Sequence, residues 1–198
     1  MYDYIVQGVR CTLVEPDPDC VLAIREHFAA QRNVTLHPVA VYDLHGRVEL
    51  VRRAASTFVA ELTDTPATVN DRYRLDENDK FVVEARTFDE IDDGTIDLLS
   101  VDAEGSEWFV IKHMTSRPSV ISVETHGSLY RNPYLDEISQ WMKANNYVLL
   151  YKATSDSVFV KRGVIEVNVR DKIEQALIDV YLSYKRAAKR VKHATTPR

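Results

Sequence analysis

The sequence predicts an α/β fold with a mostly parallel sheet that carries helices on both faces. Short β-branched strands alternate with helical segments along the chain. The runs at residues 96–101 and 120–123 are mostly apolar, which is typical of strands buried on both faces. Ligands of such sheets bind beyond the carboxyl ends of the strands, where this chain carries Glu15, Asp102 and Glu124. These three acids therefore predict a ligand crevice.

Proline, glycine and capping signals divide the chain into its predicted elements. Pro16 and Pro18 stop the first strand, and Asp17 between them can cap the helix that follows. In chain order we predict a strand at 9–14, a helix at 19–30, one strand or two extended pieces at 34–41, a strand at 47–52, a long loop with one helical turn at 54–80, strands at 81–86 and 96–101, a helix at 107–114, a strand at 120–123, a helix at 135–146, an antiparallel hairpin at 147–152 and 157–161, and a helix at 172–192.

The last helix has apolar residues at helical spacing and a basic polar face. We expect its apolar stripe to dock on the core, although a position on an acidic partner or a membrane face stays open. The chain is thereby divided into an α/β domain at residues 1–165 and a basic amphipathic helix with its tail at 166–198.

Charge and hydropathy narrow the class of protein. The net charge is −5, and residues 170–198 hold eight Lys and Arg against three Asp and Glu, so the rest of the chain is acidic. An acidic body argues against nucleic-acid binding, which needs a basic face. No apolar run is long enough to span a bilayer, and the first residues lack the order of a signal peptide. We expect a cytoplasmic protein that binds a small molecule.

Glu15 and the turn after residue 101 are the first candidate binding residues. A carboxylate at a strand end can accept both hydroxyls of a ribose, although turn chemistry alone also explains Glu15 beside its prolines. Asp102 and Glu104 follow a core strand, where an ionised side chain is costly unless it is solvated or paired. Gly105 allows close approach to a ligand. For Glu104 the alternative stays open that, with Glu107, it only favours the positive end of the next helix.

Glu124 and His126 offer acid-base chemistry. A histidine near its usual pKa can take a proton from a substrate hydroxyl at neutral pH, and Glu124 can orient its ring. The alternative for His126 is a surface or hydrogen-bonded residue without a catalytic role. Asp102 with Glu124 could hold Mg²⁺, but a third ligand is not evident, so no metal site is assigned.

Five sequence blocks together resemble one enzyme family, the FkbM family of S-adenosylmethionine-dependent methyltransferases. The resemblance covers residues 9–125, and the fourth block is its most specific part. The blocks are V-E-P-D-P at 14–18, N-V-T-L-H-P-V-A-V-Y-D at 33–43, R-T-F-D-E-I at 86–91, I-D-L-L-S-V-D-A-E-G-S-E at 96–107 and V-I-S-V-E at 120–124.

The resemblance implies a class I methyltransferase fold, which is Rossmann-like, and methyl transfer to the oxygen of a sugar or another small-molecule hydroxyl. It implies a cofactor site at the ends of three strands, with Asp102 near the methionine end of S-adenosylmethionine. Asp102, Glu124 and His126 are then the candidates for removing the hydroxyl proton. The implied cofactor-binding residues are Glu15, Pro16, Ala40, Val41, Asp102 and Glu104.

The chain departs from the family at its start. The family begins with a strand, a glycine-rich G-A-N-x-G loop and a helix, whereas only 14 residues precede Glu15 here. We expect the first strand and the glycine loop to be absent, and the open sheet edge to be covered by a second copy or a partner chain. Three explanations stay open: a truncated chain, a segment supplied by a partner or a rearranged N-terminus, and loss of cofactor binding. The last leads to the alternative function, a non-catalytic methyltransferase-like interaction module.

Overall fold

The computed structural model describes residues 1–53, 56–62, 64–71, 73, 76–127, 129–153 and 155–195. Within them the strands are β1 (Cys11–Val14), β2 (Val34–His37), β3 (Ala40–Val41), β4 (Gly46–Arg53), β5 (Ser56–Val59), β6 (Lys80–Arg86), β7 (Leu98–Val101), β8 (Val120–Glu124), β9 (Tyr147–Lys152) and β10 (Asp156–Lys161). The helices are α1 (Tyr2–Val6), α2 (Pro18–His27), α3 (Pro66–Asp71), α4 (Glu107–Lys112), α5 (Leu135–Ala144) and α6 (Val169–Thr195).

The described strands form three sheets, and the single mostly parallel sheet expected from the sequence is not found among them. One sheet is the parallel pair β1–β2, the second has the order β3-β6-β4-β5 and the third the order β7-β8-β10-β9. β3–β6 and β7–β8 are also parallel, whereas β4 is antiparallel to β5 and β6. The predicted antiparallel hairpin is confirmed as β9–β10. The fold is therefore a mixed α/β fold.

The predicted loop at 54–80 is wrong in part, because it contains β5, whereas its predicted helical turn is found as α3. Phe58 and Val59 of β5 are buried, and β5 pairs with β4. Consecutive strands with so short a connection can pair only in the antiparallel sense, since a parallel pair needs a crossover of about a dozen residues. Within this stretch, residues 54, 55, 63, 72, 74 and 75 lie outside the described part of the chain.

Asp17 ties the β1–β2 pair to the second sheet. Its carboxylate caps α2 by accepting the Asp19 N–H at 2.9 Å, as the sequence predicts. The same carboxylate forms a two-point ion pair with Arg52 of β4, with both contacts at 2.6 Å. Burial pushes the pKa of Asp17 upward, but the hydrogen bonds from Arg52 and from the start of α2 hold it below its usual value. Asp17 is therefore a buried carboxylate that stays ionised.

The main core lies between the third sheet and two helices. Val101, Ile121 and Val123 of the parallel strands are buried, and they belong to one cluster with residues of α4 and α5. On α5, Ile138 and Met142 are buried and Trp141 packs partly against the same cluster, as the helical spacing predicts. This core fixes the positions of β7 and β8, whose carboxyl ends carry Asp102 and Glu124.

The register of β7 and β8 brings two of the predicted site residues together. Leu98 lies opposite Val120 and Val101 opposite Val123. Asp102 and Glu124 are the next residues of the two strands, so they leave the sheet side by side. Asp156, the first residue of β10, is opposite Glu124 in the antiparallel pair.

Helix α6 does not dock its apolar stripe on the core, and that expectation was wrong. The stripe residues Ile173, Leu177, Val180, Tyr181 and Tyr184 are exposed, while Leu182 is buried. The helix contacts β9 instead, where the Gln175 side-chain amide donates to the Leu149 and Leu150 carbonyls at 2.9 Å. Of the helices described, none is long and apolar enough to cross a membrane.

We predict that Arg52→Met lowers the free energy of unfolding by about 2 kcal/mol, because it leaves the Asp17 carboxylate buried without its cation. The loss is smaller than for a fully buried pair, since the Arg52 side chain is 42% exposed. A loss of this size lowers the thermal midpoint by about 4–8 °C for a chain of this length. Circular dichroism melting measures it.

The matched control is Arg131→Met, which breaks the exposed ion pair between Arg131 and Asp136. An exposed pair contributes about 0–1 kcal/mol, so this variant should melt close to the unsubstituted protein. Equal melting of the two variants would contradict the structural role of the Asp17 pair.

Candidate functional site

A large cavity separates β1 from β7. Its volume is roughly 810 Å³, within the range of about 300–1,000 Å³ that small-molecule sites occupy. Among the described strands, β1 pairs with β2 only and β7 with β8 only, so each has one unpaired edge. Both strands line the cavity, which also receives residues of β3 and β5. This concave site is thus built at the ends and edges of these strands.

The implied cofactor-binding residues all contribute to the wall of this one cavity. They come from three separate stretches of the sequence, and the apolar Ala40 and Val41 form β3. Of the three predicted catalytic residues, Asp102 lines the cavity, whereas Glu124 and His126 are not part of its wall. The cavity residues predicted from the sequence are Glu15, Pro16, Ala40, Val41, Asp102 and Glu104.

Glu15 lies directly after β1 and is half-buried in the cavity wall. Its Oε1 atom accepts the Asp17 N–H at 2.8 Å, which orients the carboxylate. Burial raises the pKa of Glu15, the Asp17 N–H lowers it, and the charge of Asp17 raises it again. The second oxygen accepts no hydrogen bond from the described residues, so it can receive a donor from a ligand.

Three carboxylates from different parts of the fold meet at the ends of β7 and β8, and one of them, Asp102, lines the cavity. Asp102 follows β7, Glu107 begins α4 and Glu124 ends β8. One oxygen of each lies within 4.8 Å of the others, a spacing that could hold a metal ion. Asp102 is exposed on the cavity side, and burial together with the nearby Asp156 raises its pKa. The site is therefore strongly acidic.

Glu107 is the member of this cluster that the sequence does not reveal. Its side chain is fully buried, and its Oε1 atom accepts the N–H groups of Ala103 at 2.9 Å and Gly105 at 3.0 Å. Its Oε2 atom accepts the Asn132 side-chain amide at 2.5 Å. Burial raises its pKa to about 7, because these hydrogen bonds offset the desolvation only in part. Glu107 thus fixes the turn that carries Asp102, rather than only favouring a helix end.

Glu124 is half-buried, and its Oε2 atom is enclosed without a hydrogen-bond partner among the described residues. Burial raises its pKa to about 9, and the neighbouring carboxylates add to the shift, first Asp102 and then Glu107. At neutral pH the Glu124 carboxyl is therefore protonated when no cation is nearby. A protonated Glu124 can donate a hydrogen bond to an adjacent carboxylate.

His126 is buried, and both ring nitrogens have partners in the protein. Its Nε2 atom donates to the Ala153 carbonyl at 3.0 Å, which leaves Nδ1 as the acceptor in the neutral ring. Nδ1 lies 2.9 Å from the Thr125 hydroxyl, which is also 2.6 Å from the Ser157 hydroxyl. Burial lowers the pKa of His126, so the ring is neutral. Its role as a base stays a prediction, and any proton would reach Nδ1 through Thr125.

Sequence reasoning also missed the loop after β8, which encloses the acids. Tyr130 is fully buried, and its hydroxyl has no hydrogen-bond partner in the described part of the chain. The Asn70 side chain of α3 accepts the Leu129 and Tyr130 N–H groups at 2.8 and 3.0 Å. Gly127 allows this close approach, because a Cβ atom at this position would lie 2.7 Å from the Asn70 amide nitrogen and would displace that side chain. The signal available in the sequence was the Gly127 and Asn132 pair after a core strand.

One family model matches most of the chain. Residues 2–149 match the family described as the methyltransferase FkbM domain. A crystal structure of methyltransferase FkbM from Methylobacillus flagellatus KT is similar to the chain with a TM-score of 0.44 and 14% sequence identity. That similarity covers 76% of this chain and 36% of the solved chain, so the chain spans about a third of that protein's length. No curated protein sequence matches the chain.

The acidic cluster predicts a pH-dependent stability. The folded-state pKa values of Glu107 and Glu124 are about 7 and about 9, above the ordinary value of 4.5. Between the ordinary pKa of 4.5 and the raised pKa of each group, the folded protein holds more protons than the unfolded chain. The free energy of unfolding therefore falls as the pH rises through this range. Glu124→Gln should therefore raise the thermal midpoint at about pH 8.5 and flatten its decline from about pH 7. Melting with EDTA present measures the effect.

The control for this experiment is Glu137→Gln, which removes one exposed carboxylate from α5. Titration of His126 does not contribute to the slope above about pH 7. Its pKa is lowered in the fold, so it reduces the free energy of unfolding only as the pH falls below its ordinary pKa. If both variants show the slope of the unsubstituted protein, Glu124 is ionised in the fold and the assignment is wrong.

Proposed function

Because the chain belongs to the FkbM methyltransferase family, we propose that it transfers a methyl group from S-adenosylmethionine to a hydroxyl oxygen of a sugar or another small molecule. One observation carries the proposal: a single cavity is lined by Glu15, by the apolar stretch at 40–41 and by Asp102 of the most specific motif. Bound S-adenosylmethionine supplies a methyl group on a positively charged sulfur.

The cavity wall suits such a cofactor at both ends. The Glu15 carboxylate has one oxygen held by the Asp17 N–H, and its other oxygen is available to ribose hydroxyls. Ala40 and Val41 offer an apolar surface for the adenine ring. Asp102 and Glu104 place negative charge in the same wall, where it attracts the cationic methionine end.

Asp102 is the residue that we propose as general base. Its carboxylate is exposed on the cavity wall, and its raised pKa makes it a stronger base than an ordinary aspartate. A protonated Glu124 beside it can hold its orientation. His126 does not line the cavity, and we propose that it acts through the Thr125 hydroxyl, which lies 2.9 Å from its Nδ1 atom. The acceptor hydroxyl binds in line with the methyl group within the same cavity.

We predict that the folded chain binds S-adenosylmethionine and that Glu15→Gln weakens this binding about tenfold to a hundredfold. The estimate corresponds to the loss of one charge-assisted hydrogen bond, about 1.5–3 kcal/mol. Isothermal titration calorimetry measures both dissociation constants. Glu26→Gln, which removes an exposed carboxylate from α2, is the matched control and should bind normally.

If the folded, unsubstituted chain does not bind S-adenosylmethionine, the enzyme proposal is contradicted and the non-catalytic interaction module is favoured. Unchanged binding by Glu15→Gln would instead reject the assigned position of the ribose.

For catalysis we predict that Asp102→Asn lowers methyl transfer about a hundredfold, since a positioned general base contributes about 10²–10⁴. His126→Ala should also lower it, but less, because its ring does not line the cavity. Transfer of a labelled methyl group to a panel of sugars and natural-product hydroxyls gives the rates. Full activity in both variants, with unchanged melting, would show that neither residue removes the proton.

A further inference from the structure

The cluster of Asp102, Glu107 and Glu124 has the composition of a cation site. The three oxygens come from three elements of the fold and lie within 4.8 Å of one another. Glu107 is the third ligand that the sequence did not reveal. Its carboxylate accepts three hydrogen bonds, two at Oε1 and one at Oε2, which leaves one lone pair of Oε2 for a cation.

Tyr130 supplies an independent observation at the same place. Its side chain is fully buried, yet its hydroxyl has no hydrogen-bond partner in the described ranges. The hydroxyl lies 3.7 Å from the position that a Cβ atom on Gly105 would take, within the turn that Glu107 holds. Buried hydroxyl groups nearly always have a hydrogen-bond partner. The partner of the Tyr130 hydroxyl is therefore expected to be a bound ion or water rather than a described protein group.

The charges around the cluster also favour a bound cation. None of the ion pairs formed by the described residues includes Asp102, Glu107 or Glu124, and Asp156 adds a further carboxylate opposite Glu124. Glu124 also has one enclosed oxygen without a partner in that part of the chain. Carboxylate oxygens gathered without a counter-charge are the preferred ligands of hard divalent cations.

We propose that Asp102, Glu107 and Glu124 bind a divalent cation of the size of Ca²⁺, with the Tyr130 hydroxyl facing its coordination shell. Ca²⁺ has oxygen ligands at about 2.3–2.6 Å, so ligands on opposite sides lie about 4.6–5.2 Å apart. The three oxygens lie within 4.8 Å of one another, so one ion can contact all of them. Ca²⁺ accepts a flexible arrangement of carboxylate ligands, whereas Mg²⁺ demands a near-ideal octahedron and usually keeps several waters. Water completes the shell. The cation site goes beyond methyl transfer, because it needs neither cofactor nor acceptor.

Calorimetric titration of the EDTA-treated full chain with CaCl₂, in the absence of S-adenosylmethionine, tests the site. We expect one equivalent to bind, and Asp102→Asn and Glu124→Gln each to weaken binding at least about tenfold, since each removes one charged ligand. These two positions are chosen because Asp102 is exposed and neutral Glu124 is tolerated, so both variants should fold. Glu137→Gln removes an equal charge on α5 and should bind Ca²⁺ normally.

Absence of Ca²⁺ binding by the unsubstituted chain overturns the site, and so does binding that both cluster variants retain. Tyr130→Phe provides a second readout. It should leave one equivalent bound but reduce the increase in thermal midpoint that Ca²⁺ causes, because the hydroxyl loses its contact with the shell. An undiminished increase would reject the position of the ion. Cofactor titration is separate, so either proposal can fail without the other.

Discussion

The buried carboxylate of Glu107 is the constraint on which the site depends. It accepts the N–H groups of Ala103 and Gly105, so the chain turns sharply as it leaves β7 and presents Asp102 to the cavity. Through Asn132 it also holds the loop that follows β8. Glu104 in this turn has a φ of 50°, a left-handed conformation that is costly for a residue with a side chain. A buried acid thus stabilises a turn that the local sequence disfavours.

Electrostatics determine which acids of the cluster carry charge. Two like charges no more than 4.8 Å apart repel by at least about 3.5 kcal/mol at an effective dielectric constant of about 20. Glu107 offsets this repulsion with three donors, each contributing about 1.5–3 kcal/mol. The enclosed Oε2 atom of Glu124 has no such donor in the described chain, so Glu124 gives up its charge first. A proton, a metal cation and a positively charged ligand would therefore compete for the negative charge of the same three carboxylates.

Much of this arrangement could be predicted from the sequence, because its causes are local. Apolar runs predicted β7 and β8, and the position of acids at their ends placed Asp102 and Glu124 at one edge. The parts that depend on tertiary packing could not be predicted. Glu107 looked like a helix-end charge, since nothing local shows that it is buried. The β5 strand looked like a loop, because its four residues become a strand only beside β4. The apolar stripe of α6 gave no sign that it would stay exposed.

The division into three sheets has a consequence for cooperativity. No described backbone ladder joins β1–β2 to either of the other sheets, and the Asp17–Arg52 ion pair is a side-chain link. Units that share no ladder can open separately, with amide exchange rates of their own. A ligand that touches Glu15 on one wall and Asp102 on the other joins two such units, and it adds a stabilisation that grows with its concentration. Cavity occupancy would then decide whether the molecule unfolds as a whole or in parts.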